Sequence, residues 1–425
     1  MEKLVRKAKK IHGSITTPPD KSISHRAIML SALSNGKSII KNFSKGQDPL
    51  STLKIFNSLG INHKFIDENS LEISSNGILV KPLAPLDCGN SGSTMRLLSG
   101  ILAGQKFDSI LIGDNSLSKR PMLRVIEPLR LMGAQITAND NHAPLIIKAS
   151  RLHSINYTSK ISSAQVKSAI LLAGLYTDGK TVFKEPCQSR NHTELMLKYL
   201  DANIESIDSA TTAISFSQLT PKTIVIPGDI SSAAYFIAAA LIVPNSELII
   251  KNVGLNPTRT GFLDVCKMMG ADIEILDKKT ISGELSGDIR VKYSSLRATT
   301  ICGEIIPRLI DELPIIAVLA TQAKGETIVK DAGDLRNKES DRIKSIANGL
   351  SSLGANIVET QDGFIIQGKT KLKGDCLVET QKDHRLIMSL FVAGLICEKP
   401  IFVKDFEWVK ISMPEFEKLM ETIIS

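Results

Sequence analysis

Polar clusters and apolar runs follow one another along this chain in a fixed order. A polar cluster opens each block, an Ala-rich apolar run of helical length follows, a turn residue ends it, and a β-branched stretch comes next. The order is met six times, in DKSISHRAIMLSALSNGKSIIKN, GNSGSTMRLLSGILAGQKFDSILIG, SSAQVKSAILLAGLYTDGKTVFKEP, DISSAAYFIAAALIVPNSELIIKNV, DELPIIAVLATQAKGETIVKDAG and DHRLIMSLFVAGLICEKPIFVKD. The turn residues Gly36, Gly104, Gly179, Asn245, Gly325 and Glu398 lie 66 to 80 residues apart. A second pattern interleaves with the first: a helix end resembling Leu-Gly-Ala, then a strand, in SLGINHKF, LMGAQITA, YLDANIES, MMGADIEI and SLGANIVE. Ordinary α/β alternation also starts helices with polar residues and ends them in Gly. It does not repeat both halves in register at one period, which is the mark of internal duplication. The pattern predicts an α/β chain of six β-α-β-α-β-β units.

A length of 425 residues suits two domains of about 200 residues each, hence three units per domain. Such a unit used three times builds a domain with helices inside and sheets outside. The chain is 43% apolar, ample for buried cores, but only 4% aromatic with one Trp, so small and aliphatic side chains must fill them. Few aromatics also argue against a base-stacking nucleic-acid surface. No apolar stretch reaches the length of a membrane span, and the longest, Ala233 to Val243, reads as a buried helix.

The formal charge is +8, with one basic clump, from Lys3 to Lys10, which lacks the apolar core of a signal peptide and reads as a solvated start. Otherwise the excess is dispersed, which favours small acidic ligands over nucleic acid. The six cysteines, Cys88, Cys187, Cys266, Cys302, Cys376 and Cys397, form no CxxC pair and read as reduced, mostly buried thiols. The seven His form no ligand cluster, so no metal is expected.

Helix N-termini carry free N–H groups and partial positive charge, and they bind anions. In this chain the repeat helices open on Lys21, Ser22 and Arg26; on Gly89-Asn90-Ser91-Gly92 with Arg96; on Ser163, Ala164, Gln165 and Lys167; on Asp311-Glu312; and on Asp383-His384-Arg385. Beside them lie Arg120, Arg124, Arg190, Lys338, Glu339, Asp341 and Arg342. Each alone has a plain explanation: Ser, Asp and Asn at helix starts are caps worth ~1 kcal/mol, Asp383 to Arg385 reads as a surface ion pair, and His25, His192 and His384 as structural. If the repeats are equivalent, however, the helix starts converge. Two domains facing each other then gather many cations and few carboxylates into one cleft, suited to clamping phosphate and carboxylate. Like-charged walls would hold such a cleft open until an anion bridges them.

DKSISHRA, GNSGSTMR, SLSKRPM, SAQVKSA, SRNHTE, GDISSAAYF, NKESDR and DHR occur in the order and spacing of one enzyme family, and together they are highly specific. The chain closely resembles the 5-enolpyruvylshikimate-3-phosphate synthases over its whole length. That resemblance implies two inside-out α/β barrel domains, one of residues 1–16 plus 227–425 and one inserted at 17–226, with the first strand of the chain pairing into the former. It implies a cytoplasmic monomer with no cofactor, metal, membrane or nucleic-acid partner. It implies transfer of the enolpyruvyl group of phosphoenolpyruvate to the 5-hydroxyl of shikimate 3-phosphate, with release of phosphate. Lys21, Ser22, Arg26, Ser163, Gln165, Ser189, Asp311 and Lys338 would then hold shikimate 3-phosphate, and Lys21, Gly92, Arg120, Gln165, Arg342 and Arg385 phosphoenolpyruvate. Asp311 would be the base, and Glu339, with Lys21, the acid. The chemistry asks for such a set. An alcohol attacks a vinyl carbon once the neighbouring methylene is protonated, so one acid and one base must be held apart.

Three positions depart from the family pattern: Pro19 where Gly is frequent, Asn191 where Asp is frequent, and Lys410 one place early for a C-terminal lysine that binds phosphoenolpyruvate in some members. SAQVK, RNHTE and NPTR (Asn256 to Arg259) resemble a subgroup tolerant of the inhibitor glyphosate, whereas Pro19 and Gly92 do not, so intermediate sensitivity is expected. A sister family, the UDP-N-acetylglucosamine enolpyruvyl transferases, would carry Lys-Asn at Lys21-Ser22 and a Cys at Arg120. A fold relative acting on RNA ends would need a histidine nucleophile.

Overall fold

A helix that is apolar on every side belongs in an interior. The stretch from Ala233 is one, and all 13 residues of its helix, Ile230–Ile242, are buried in the computed structural model, which describes residues 1–425. By its contacts the chain falls into two units, Pro19–Ile226 with Thr280–Glu284, and Met1–Pro18 with Pro227–Lys279 and Leu285–Ser425.

The unit built on Pro19–Ile226 holds six helices, α1 (Lys21–Leu33), α2 (Gln47–Ser58), α3 (Gly92–Ala103), α4 (Leu123–Leu131), α5 (Ala164–Gly174) and α6 (His192–Tyr199). Helices α1, α3 and α5 are buried along nearly their whole length, while α2, α4 and α6 bury one side. The inner helices approach closely where small residues allow it: a Cβ on Gly100 of α3 would lie 2.1 Å from the carbonyl oxygen of Ala169 on α5. Three four-stranded sheets surround them. In each, one parallel pair is followed by two antiparallel pairings. Thr223–Val225 runs parallel to Asn35–Lys41, Leu86–Asp87 to Ser109–Ile112, and Asn156–Thr158 to Thr181–Lys184. Ser70–Asn76, His142–Lys148 and Thr211–Ile214 then continue the three sheets antiparallel. Parallel neighbours need a crossover, and α3 and α5 supply it in the second and third sheets. This identity of pairing is the repeat seen in the sequence.

The other unit holds α7 (Ile230–Ile242), α8 (Gly261–Met268), α9 (Ile306–Leu309), α10 (Leu313–Gln322), α11 (Arg342–Ser352), α12 (His384–Gly394) and α13 (Phe416–Ile423). Its first sheet takes His12–Thr16 parallel to Glu247–Gly254, and its second pairs Thr300–Ile301 parallel to Gly325–Val329. Its third sheet has three strands and is closed by Lys3–Val5, antiparallel to Ile401–Val403. The basic N-terminal run keeps Arg6, Lys7, Lys9 and Lys10 exposed, as its composition suggests, but its start is an ordered strand. Val5 and Ala8 are buried, and the Lys3 ammonium bonds Glu417 and Glu421 of α13. Five of its aromatic rings form one cluster: Tyr235, Phe236, Phe391 and Phe406 all lie within 5.3 to 6.4 Å of the Phe416 ring, centre to centre. Only half of the thiols are buried (Cys88, Cys266, Cys397), fewer than expected; Cys187 and Cys376 are half-buried and Cys302 is exposed. No helix is long and apolar enough to cross a membrane.

Candidate active site

Each unit carries its own set of the residues singled out in the sequence. In the first unit, Asp20 caps α1 by accepting the Ile23 N–H at 2.8 Å, which leaves Lys21 and Ser22 in the first turn, half-buried. Lys21 Nζ lies 3.0 Å from Asp48 Oδ2 on α2. Arg26, one turn further on, is buried. It donates to Thr193 Oγ1 (2.7 Å), Ser168 Oγ (2.8 Å) and the Ser22 carbonyl (2.9 Å), all of them neutral. Burial pushes its pKa down to about 10 against the pull of Glu194. A buried guanidinium bonded only to neutral oxygens is short of counter-charge, and an anionic ligand would supply it.

Ser91 caps α3 by accepting the Thr94 N–H at 3.2 Å, and Gly92 is the first residue of that helix. The missing side chain of Gly92 leaves room for two guanidinium groups, since a Cβ there would lie 3.0 Å from Arg96 Nη1 and 3.3 Å from Arg120 Nη1. Arg96 donates to Gln165 Oε1 (2.8 Å), Gln165 donates to Ser93 Oγ (3.0 Å), and Arg120 donates to Asn90 Oδ1 (2.9 Å). Gly92, Arg120 and Gln165 thus form one cluster. Ser163 stands at the N-cap of α5 without bonding that helix through its side chain. Ser189 is buried, and its N–H donates to Glu185 Oε1 at 2.8 Å.

In the second unit Asp311 and Glu312 occupy a 3₁₀ turn, Ile310–Glu312, just ahead of α10 rather than its first turn. Three cations surround the Asp311 carboxylate: Arg342 Nη1 at 3.4 Å, Lys338 Nζ at 3.8 Å and Arg385 Nη2 at 4.0 Å. Arg342 is 1% exposed and reaches Glu339 Oε2 through Nη2 at 2.6 Å. One guanidinium therefore spaces the two carboxylates, with Asp311 on one terminal nitrogen and Glu339 on the other. Its orientation is set by Asp383, which accepts from Arg342 Nε at 2.8 Å, from Ser340 Oγ at 3.0 Å and from the Arg385 N–H at 2.9 Å as the N-cap of α12. Burial alone would lower the pKa of Arg342 and of Arg385. Asp383 and Glu339 carry the first upward, and Asp311 leads the groups that raise the second. Glu312, also buried, accepts from Ser231 Oγ and lies 3.7 Å from Arg385 Nη1.

Residues 5–420 match the family model described as EPSP synthase (3-phosphoshikimate 1-carboxyvinyltransferase). The chain belongs to the EPSP synthase family. A 3-phosphoshikimate 1-carboxyvinyltransferase of Thermodesulfovibrio yellowstonii is 50% identical over 430 residues, covering 100% of both chains. One of Geobacter sp. strain M21 is 49% identical over 426 residues, covering 99% of this chain and 98% of the relative. Among solved structures, EPSP synthase from Acinetobacter baumannii superposes with a TM-score of 0.88 at 39% identity, over 100% of this chain and 98% of that one. The enolpyruvyl transferase NikO from Streptomyces tendae superposes at 0.81 over 99% of this chain and 96% of that one, at 15% identity, a likeness of fold alone.

Within this EPSP synthase family member several expectations from the sequence need correction. Lys167 does not join the ligand-facing cations: its side chain is 3% exposed and ion-paired to Glu185 and Glu194. Carboxylates are not few in the second unit, because buried arginines there persist only with partners. Asp383 is no surface ion pair but wholly buried, and Asp341 caps α11 and pairs with Arg336 at 2.7 Å. His25, His192 and His384 are all buried, with His25 Nδ1 on Thr52 Oγ1 and His192 Nδ1 on Glu284 Oε1, each at 2.7 Å. Lys410 is exposed in the 3₁₀ segment Phe406–Ile411. Sequence reasoning missed Asp48 and Asn90 as partners of Lys21 and Arg120. Asn90 stood inside the GNSG turn, but nothing in the pattern marked Asp48. No three His, Cys, Asp or Glu side chains gather as metal ligands.

Proposed function

We propose that this enzyme transfers the enolpyruvyl group of phosphoenolpyruvate to the 5-hydroxyl of shikimate 3-phosphate and releases phosphate. The observation that carries the mechanism is the Arg342 guanidinium, which keeps Asp311 and Glu339 on separate nitrogens while Asp383 fixes its plane. Asp311 is the base that accepts the hydroxyl proton. Glu339, with Lys21, gives a proton to the methylene carbon, so the adjacent carbon gains cationic character and the oxygen adds to it. The resulting tetrahedral carbon carries both phosphate and the new ether. Phosphate then leaves with its bonding pair and a methyl proton returns to the carboxylate, restoring the double bond.

Lys21, Ser22, Arg26, Ser163, Gln165, Ser189, Asp311 and Lys338 are assigned to shikimate 3-phosphate, with the neutral-bonded Arg26 the strongest support. Lys21, Gly92, Arg120, Gln165, Arg342 and Arg385 are assigned to phosphoenolpyruvate. Fixed cations press two mutually repelling anions together, and positioning of that kind contributes ~7–11 kcal/mol. The family motifs carry the further inference of a cytoplasmic monomer that uses neither metal nor organic cofactor. The test is phosphate release with both substrates and with each omitted in turn, with the carboxyvinyl ether followed by mass spectrometry. Release that needs both, matched by the ether, is expected; release from phosphoenolpyruvate alone, or no ether, would overturn the assignment.

A further inference from the structure

We propose that Lys167 is a positioning residue for shikimate 3-phosphate, a buried prop that holds the turn carrying Ser189. The proposal rests on the assignment of Ser189 to that substrate. Lys167 Nζ makes three bonds, to Glu185 Oε1 (2.8 Å), Glu194 Oε1 (2.7 Å) and the carbonyl oxygen of Ser189 (3.2 Å), which uses all three ammonium donors. Glu185 Oε1 in turn accepts the Ser189 N–H at 2.8 Å. Both backbone polar groups of Ser189 are thus tied to one Lys–Glu pair. Its hydroxyl is buried and bonds to no protein group, so the substrate can satisfy it.

The prop extends to Arg26. Glu194 lies in the first turn of α6, and its neighbour Thr193 accepts from Arg26 Nε. Ser168, next to Lys167 on α5, accepts from Arg26 Nη2 and bonds Thr193 Oγ1 at 2.6 Å. The motifs SAQVK and RNHTE, on successive inner and outer helices of one repeat, are joined here by the Lys167–Glu194 pair. Their charges are 3% and 8% exposed. Ion groups buried to that degree add little stability over apolar side chains of the same volume. What this trio supplies, and apolar groups would not, is direction: N–H and C=O of Ser189 each meet a charged partner, and charge-assisted bonds are short and oriented.

The experiment is steady-state kinetics of Lys167→Met, Glu185→Gln and Ser189→Ala, varying each substrate in turn. Lys167→Met is expected to raise KM for shikimate 3-phosphate about tenfold or more, the size of one lost charge-assisted bond, and to leave KM for phosphoenolpyruvate within about twofold. Glu185→Gln keeps the shape and lowers the buried negative charge, so it folds even where Lys167→Met does not. It is expected to raise the same KM about threefold to tenfold. Equal rises in both KM values, or none in either variant, would overturn the positioning role. Ser189→Ala separates this from the reading beneath it. An unchanged KM for shikimate 3-phosphate there removes the Ser189 assignment and the proposal together. A raised KM there, with Lys167→Met and Glu185→Gln silent, removes the proposal alone.

Discussion

Gly92→Ala tests the phosphoenolpyruvate assignment through one methyl group. Gly92 opens α3 with an ordinary negative φ, so alanine meets no backbone strain and gains up to ~1 kcal/mol of helix propensity. The protein should fold as stably as before. The new carbon, however, stands 3.0 Å from Arg96 Nη1 and 3.3 Å from Arg120 Nη1, where nonbonded contact prefers ~3.5 Å or more. Both guanidinium tips must retreat by about 0.5 Å at Arg96 and less at Arg120. Arg96 is bonded to Gln165 at 2.8 Å, and that shift takes the bond to the edge of its favourable range. A guanidinium moved that far from where the anion sits weakens a charge-assisted bond to it by ~1–2 kcal/mol, or about fivefold to thirtyfold in KM for phosphoenolpyruvate. Glyphosate, longer than phosphoenolpyruvate, needs more of the space the methyl removes, and a misfit of one carbon is worth ~1–3 kcal/mol. Steady-state inhibition of wild type and variant should show the inhibition constant rising several-fold beyond KM. An equal rise in both would refute the steric reasoning, and an unchanged KM would refute the placing of Gly92 against this substrate.

Asp311→Asn preserves shape and removes the base, so kcat should fall by ~10² or more with a modest change in KM; near-normal kcat would end the assignment. Arg120→Ala should act mainly on phosphoenolpyruvate, raising its KM about tenfold or more through loss of a charged fork, while KM for shikimate 3-phosphate stays within about twofold. Asp383→Ala leaves the buried Arg342 without the carboxylate that orients it, so urea unfolding should report a loss of ~3–5 kcal/mol; a loss under about 1 kcal/mol would place Asp383 in solvent. His25 is held neutral, chiefly by burial and then by Lys21 and Arg26, well below the usual imidazole range. The unfolded chain binds this proton below about pH 6.5, so the stabilisation is present above that pH and is lost as pH falls, by ~1.4 kcal/mol per unit. His25→Asn removes that loss. The stability of wild type minus variant should therefore shrink from pH 7 to pH 5, and a constant difference would show His25 binding its proton as readily in the folded chain as in the unfolded one.

Much of the architecture was legible in the chain because it is written as local periodicity. The apolar run Ala233 to Val243 had to be interior, and the polar starts followed by Ala-rich runs had to be helices. Asp20, Ser91, Asp229 and Asp383 do stand at N-caps, because a cap is a bond within a few residues of sequence. The motifs also named most residues of the two clusters. What the chain by itself did not determine is which charges meet. Lys167 and Arg26 sit on neighbouring buried helices, yet one is matched by two carboxylates and the other only by hydroxyls and a carbonyl. Asp48 was silent in the pattern and pairs with Lys21. The basic N-terminal run is solvated along its charges, as it looked, but its start also closes a sheet, and strand pairing across some 400 residues leaves no local mark. Local sequence sets backbone conformation and the face that must be buried. Only the folded chain decides which ionised groups share one dry space, because that depends on long-range packing and on how much water it removes.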